Sequence, residues 1–255
     1  MSGSITLENR FGVNKMELIS LKYAIFVIVL LVLYYCFPKK YRWYVLLAGS
    51  MAYYVIICKW YVLFIIFTIC TTYGSTIWID KLLKEQNAIV KSHKEDWDRQ
   101  TRKEYKEKGR KKRVAVMLFA LLCNFGILAF LKYIPYAGEL GLLLPLGISF
   151  YTFQSMGYVM DVYREIVEPE KNFLKVALFV SFFPQIIQGP IAIYDKLAGQ
   201  LYEGHSLRLE NLQKGALLVL WGVMKKLVIA DRAVNIINFV MDKPMDFSGA
   251  YVFFA

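Results

Sequence analysis

The stretch SFFPQIIQGPI, residues 181–191, sets two prolines, a glycine and two glutamines inside an otherwise apolar run. Pro184 and Pro190 lack the amide hydrogen that a helix interior needs, and Gly189 adds a residue of low helix propensity. The run must therefore interrupt its own helix and free backbone carbonyls and amides. In hydrocarbon such groups are tolerated only where they are buried in protein or line a cavity. Gln185 and Gln188, three positions apart, lie on one face. The stretch predicts a broken helix forming the wall of a polar pocket or tunnel, on condition that the surrounding chain belongs in a membrane.

The composition meets that condition. Of 255 residues, 57% are hydrophobic and 16% aromatic, above the ~45–50% apolar usage of ordinary globular domains. Apolar runs cover residues 19–37, 41–58, 60–79, 114–134, 141–160, 173–193 and 214–240, several of them near the ~20 residues that cross a bilayer. The expected fold is all-α: one multi-pass membrane domain over residues 1–255, with re-entrant or broken helices. The first run ends at Pro38 without a small-residue cleavage signature, so it reads as a retained span and not a signal peptide. The last run carries Lys225 and Lys226 at its middle. It is expected to be tilted, interfacial or lining a wet cavity.

Charge gives the orientation. Residues 80–113 hold 13 Lys/Arg against 7 Asp/Glu, which is +6 of the chain's +11. This segment lies between apolar runs and reads as a basic cytoplasmic loop. Lys39, Lys40 and Arg42 fall on the same side if the runs at 41–58 and 60–79 form a hairpin. Interleaved acids and a position between spans exclude a nucleic-acid surface and favour anchoring beside anionic lipid. No metal site is readable: Cys36, Cys58, Cys70 and Cys123 all sit in apolar runs without a ligand-spaced companion. Dinucleotide, P-loop, zincin and nucleophile-elbow motifs are absent.

A second polar feature precedes the broken stretch. In LPLGISFYTFQSMGYVMDVYR, residues 144–164, steps of four and three from Gly147 place Tyr151, Gln154, Tyr158 and Asp161 on one helical face. Lipid offers an amide and two phenols no partner, so the face is expected to meet protein or water. The candidate tunnel residues are thus Tyr151, Gln154, Tyr158, Asp161, Pro184, Gln185, Gln188, Gly189 and Pro190.

These two segments, followed by YDKLAGQLYEGHS at 194–206 and WGVMKKLVIADR at 221–232, resemble the membrane-bound O-acyltransferase family, in its bacterial polysaccharide-acetylating branch. The resemblance implies a multi-span enzyme of the bacterial cytoplasmic membrane with a tunnel through it. An acyl group from a cytoplasmic donor, acetyl-CoA or a carrier-derived acetyl, would reach a hydroxyl of a cell-surface or secreted polysaccharide such as alginate. A partner acetyltransferase subunit is compatible with that branch. No bound cofactor is implied. Family members use a histidine deep in the tunnel, because an alcohol is a weak nucleophile until a base takes its proton.

The two histidines of this chain, His93 in the charged segment and His205 in a polar connection, match no such context, so no catalytic residue is assigned. The chain is expected to be the N-terminal part of such an enzyme and inactive alone. D-alanyl transfer to teichoic acid, and a non-catalytic transporter or scaffold, are the other readings the sequence leaves open.

Overall fold

The computed structural model describes residues 21–93, 97–133, 145, 147–242 and 249, without the side chains of 187, 188, 236 and 242. The start of the first apolar run and much of the run's beginning at 141 lie outside the described residues. Two compact units divide at residue 204. The first contains α1 (Leu21–Cys36), α2 (Arg42–Cys58), α3 (Val62–Ser92), α4 (Arg99–Tyr133), α5 (Ile148–Tyr163), α6 (Phe173–Ser181), α7 (Phe183–Gln188) and α8 (Tyr194–Tyr202). No strand occurs among the described residues. The chain is an all-α membrane protein: Lys39–Ser92 and Arg99–Tyr133 are long and apolar enough to cross a bilayer.

The helix boundaries follow from local chemistry. Pro38 stops α1 and leads into a short 3-10 turn, Lys39–Tyr41. Between α2 and α3 the break is at Lys59, whose φ of 48° and ψ of −118° leave the helical region altogether. That conformation is costly for a residue bearing a Cβ, and it separates two helices that a continuous apolar run would otherwise fuse. Outward from these helices, Ile25, Ile28 and Val32 on α1 and Leu118, Phe119 and Leu122 on α4 are exposed. An apolar outer face of this kind is what hydrocarbon solvates.

The basic segment, expected as a loop between spans, is largely helical. Residues 80–92 continue α3 and residues 99–113 begin α4, so the two helices extend as a hairpin. At 31 and 35 residues they run about 46 and 52 Å, against a hydrocarbon core of about 30 Å. Lys, Arg, Glu, Gln and Ala are strong helix formers. The i,i+4 pairs Asp80–Lys84, 2.5 Å, and Lys81–Glu85, 3.9 Å, add small support. Across the hairpin the Gln86 amide donates to the Lys106 carbonyl at 3.0 Å. Gly109 lets the arms approach, since a Cβ there would collide with the Gln86 side chain.

The second arm is started by Asp98, whose carboxylate accepts from the Thr101 amide at 2.8 Å. Hydrogen bonding from Thr101, side chain and then backbone, holds the Asp98 carboxyl below its ordinary value. A lowered folded-state value means the cap contributes above about pH 4 and is lost as pH falls through that lowered value. Asp98→Ala should speed amide exchange at residues 101–102 at neutral pH, while leaving it unchanged at a pH where Asp98 is already protonated. Equal exchange in the two proteins at neutral pH would show that the cap does not hold this turn.

The core of this unit lies where α3, α4, α5 and α6 meet, around Ile65, Ile69, Met156, Val159, Val176 and Phe179. On α3 a buried row of Thr68, Thr72, Ser75 and Thr76 faces inward. The hydroxyls of Thr72, Ser75 and Thr76 return to the helix's own carbonyls, as in Thr72 to Thr68 at 2.6 Å and Thr76 to Thr72 at 2.9 Å. Small residues of this kind let helices pack closely in lipid without stranding a polar group. Asn124 of α4 crosses the interface, donating to the Thr71 hydroxyl at 2.9 Å.

The second unit holds α9 (Leu209–Met224), a π-helical turn (Lys225–Ala230) and α10 (Asp231–Asp242). The Lys pair that interrupts the last apolar run coincides with the π turn, where one extra residue shifts the register of the two flanking helices. The Lys225 ammonium lies 5.3 Å from the centre of the Trp221 ring.

Candidate functional site

The broken stretch takes the form of a re-entrant segment. α6 ends at Ser181, Phe182 adopts φ −58° and ψ 104°, and α7 begins with Pro184 inside its first turn. Proline is tolerated there because a first-turn amide has no intrahelical acceptor. After α7 the chain extends through Gly189, φ −93° and ψ 161°. A Cβ on Gly189 would sit 2.8 Å from the Gln185 Cα, so a side chain cannot follow this path unstrained. α8 then runs back beside α6: the Tyr202 hydroxyl donates to the Lys175 carbonyl at 2.8 Å, and Leu201 packs with Leu178 and Trp43. Entry and return therefore lie together, and the segment turns back inside the helical bundle.

Breaking a helix orphans its last carbonyls and the next helix's first amides. Two of them find partners on neighbouring helices. The Gln154 amide, buried on α5, donates to the Phe179 carbonyl at 2.8 Å. The Phe183 amide donates to the Ser50 hydroxyl of α2 at 3.4 Å. A third contact is steric. Gly147, at the start of α5 with φ 71°, lies so close to Ile186 that a Cβ would overlap both its Cγ2 and its carbonyl oxygen. The break is thus clamped from α2 on one side and α5 on the other.

The helical stripe of α5 separates into distinct surroundings. Tyr151 is buried, edge-on to Tyr54 with ring centres 6.3 Å apart. Gln154 caps α6. Tyr158 accepts from the Glu170 amide at 2.8 Å and stacks on Tyr194 at 4.1 Å. Asp161 is half-buried near the end of the helix, where Arg113 pairs with Glu165 at 2.9 Å. Gln185 is half-buried and Pro190 exposed, while the Gln188 side chain lies outside the described residues.

Around the break several buried polar atoms meet no well-directed hydrogen bond: the hydroxyls of Tyr53, Tyr54, Tyr151, Ser155 and Ser181 and the Gln185 Oε1. Those of Tyr54 and Tyr151 lie close enough to hydrogen-bond to one another, which leaves Tyr53, Ser155, Ser181 and Gln185 as the unmet members. Unmet groups at this depth cost free energy unless a ligand or water completes them. Chemically the set is neutral, with phenols, alcohols and an amide that can hold a carbonyl or hydroxyl but supply no ready base.

A second polar network lies between α5, α6 and α8. Tyr194, Tyr202 and Tyr158 gather with Lys175, whose ammonium lies 3.6 Å from Glu170 and 4.9 Å from the Tyr202 ring centre. Ser50, Tyr53, Tyr54, Ser181, Tyr194 and Tyr202 were not singled out by sequence. Tyr194 and Tyr202, eight positions apart on an amphipathic segment, carried a periodic signal. Ser50, one small residue among several, carried none.

His93 lies at the turn of the basic hairpin, stacked on Trp97 at 4.9 Å. His205 begins the second unit. Among the described residues, no group of three or more His, Cys, Asp or Glu side chains comes together as a metal site.

Comparison with known proteins gives the site its context. The chain is 31% identical over 170 residues to a peptidoglycan O-acetyltransferase of Helicobacter pylori, covering 52% of this chain and 32% of that protein. It is 40% identical over 89 residues to a probable alginate O-acetylase of Pseudomonas syringae pv. tomato, covering 35% of this chain and 17% of the relative. For the corresponding protein of Pseudomonas putida the values are 34% over 114 residues, 45% and 22%. The chain therefore matches a third or less of the length of these relatives. No family model and no solved structure matches. The similarity supports the resemblance to membrane-bound O-acyltransferases.

Proposed function

We infer that this chain is part of a membrane O-acetyltransferase that moves acetyl groups onto hydroxyls of a cell-surface or secreted polysaccharide. The observation that carries the reading is the set of unmet polar groups around the clamped break, in a chain whose relatives are named as O-acetylating enzymes. Those names favour acetyl transfer over D-alanyl transfer or a non-catalytic transporter. The acceptor sugar is a proposal of class only, with peptidoglycan and alginate as the two precedents among the relatives.

The protein is read as multi-pass in a bacterial cytoplasmic membrane, with the α3–α4 hairpin on the cytoplasmic side because Lys and Arg concentrate there. An acetyl donor, CoA-bound or carrier-bound, would approach from that side and the polysaccharide from the other, and a partner acetyltransferase subunit would work beside this chain. In the described residues the role open to Tyr151, Ser155, Ser181 and Gln185 is to orient the acetyl carbonyl or the acceptor hydroxyl. Excluding water around them strengthens each such contact. Deprotonating the acceptor needs a base that this neutral set does not contain, so these side chains position the reactants.

Gln185→Leu is the direct test. It should lower acetyl transfer roughly tenfold, the loss of one hydrogen bond to a bound reactant, at unchanged protein level in membranes of cells making the complete enzyme. The assay is O-acetyl content of the polysaccharide. Full acetylation by the Leu variant would remove Gln185 from the substrate path and leave the segment a matter of packing.

A further inference from the structure

We propose that the α3–α4 hairpin holds one anionic phospholipid in a groove at the level where the two helices leave the bilayer. This goes beyond acetyl transfer and rests only on the chain's residence in a membrane.

Two adjoining hollows form the groove. One, of about 440 Å³, is walled by Trp78, Leu82, Ala115, Val116 and Phe119, with Lys112 at its edge. The other, of about 370 Å³, continues from the shared residues Leu82 and Lys112 to Tyr105, Lys108, Lys111 and Glu85. Helical spacing explains the continuity. Trp78, Leu82, Glu85 and Ile89 follow one another on a face of α3, as Tyr105, Lys108, Lys112, Val116 and Phe119 do on α4. The groove therefore changes from wholly apolar to basic along its length.

A phospholipid has that same division. Its acyl chain would lie along Phe119 and Val116, and its phosphate would meet Lys108, Lys111 and Lys112. Trp78 and Phe119 are 57% and 64% exposed, so the apolar half stands open to hydrocarbon. Trp favours this depth, with its ring in the apolar layer and its N–H toward the headgroups. The lining of the basic hollow carries three lysines and one carboxylate, Glu85, which also has Lys81 at 3.9 Å. A neutral lipid would leave that charge unanswered. A free phosphate or soluble nucleotide would leave the apolar half empty.

The test reads Trp78 fluorescence in the full chain, reconstituted into phosphatidylcholine vesicles. The vesicles contain either brominated phosphatidylglycerol or brominated phosphatidylcholine as quencher. The Trp78 signal is the difference between the wild type and Trp78→Phe. Phosphatidylglycerol should quench it several-fold more per lipid. The triple change Lys108→Ala, Lys111→Ala, Lys112→Ala should abolish that preference, since a lysine near a membrane surface contributes up to roughly fivefold. Removing equal charge outside the groove, with Lys91→Ala, Lys103→Ala, Lys106→Ala, should leave most of it.

Equal quenching by both lipids overturns the proposal. So does an equal loss in the two triple variants, which would mean diffuse attraction by the whole hairpin. Far-UV circular dichroism checks that the groove variant keeps its helices. If it does not, Lys112→Gln alone must still halve the preference or the site is wrong.

Discussion

Gly147→Ala should destabilise the first unit by about 2–6 kcal/mol. Two independent costs add. A left-handed φ of 71° costs a residue with a Cβ about 1–3 kcal/mol. The Cβ would also overlap the Ile186 side chain and carbonyl oxygen, and forcing volume into a packed site costs about 1–3 kcal/mol. The overlap with a backbone atom cannot be relieved by a rotamer change; α7 itself must shift. The internal comparison is Gly157→Ala on the same helix, where a Cβ meets nothing within 4 Å. There Ala replaces Gly in a helix interior and should stabilise by up to about 1 kcal/mol. Asn tolerates the left-handed region but still brings a Cβ, so Gly147→Asn should recover only the conformational part. Unfolding in mixed detergent, followed by circular dichroism, ranks the three. Gly147→Ala within 1 kcal/mol of wild type would mean that α5 and α7 do not meet closely at this point.

The position of Gly147 shows how far residue order alone can carry such a reading. Sequence took it as the start of a polar stripe and read a helix break around Pro184 and Gly189, because proline, glycine and amide residues act locally; the chain leaves the helix at Phe182. The outline of an all-α membrane protein was legible for the same reason: apolar run length and the stop at Pro38 are local properties. What brings Ile186 onto Gly147, or Ser50 onto Phe183, is contact between residues far apart in the chain, and no spacing rule reports it.

The helical form of the basic segment was missed for a different reason. Its charge pattern was weighed as topology, when the same Lys, Glu, Gln and Arg residues are also good helix formers and lengthen α3 and α4. Asp98 and Thr101, at cap spacing, were the local signal that a helix starts there. Tyr158 shows the reverse case. Its place on a polar face was evident, yet its partner is the Glu170 amide, in a connection whose course only the folded chain fixes.

Gln154→Leu should uncouple the re-entrant segment from the bundle. The buried amide donates to the Phe179 carbonyl at 2.8 Å, and Leu, of similar volume, keeps the packing while removing the donor. The carbonyl is then orphaned at membrane depth, at a cost of about 1–3 kcal/mol. Gln154→Glu should be at least as harmful, since a carboxylate and a carbonyl are both acceptors and the side chain would have to bind a proton to donate. Ser50→Ala should cost less, about 1 kcal/mol, because its bond from the Phe183 amide is long at 3.4 Å. The two residues hold opposite sides of one break, so their effects should not add. Once α7 is loosened by losing either clamp, the second has less to hold, and the double variant should fall short of the sum by more than 0.5 kcal/mol. The local consequence can be read separately from global stability. A cysteine at Ser181, in a background lacking Cys36, Cys58, Cys70 and Cys123, should react slowly with a small thiol reagent in the parent and faster with Gln154→Leu. Strict additivity with unchanged reactivity at 181 would mean that Gln154 and Ser50 serve separate pieces of structure, and that the break is held by the packing of Phe183 against Tyr53 and Phe26 instead.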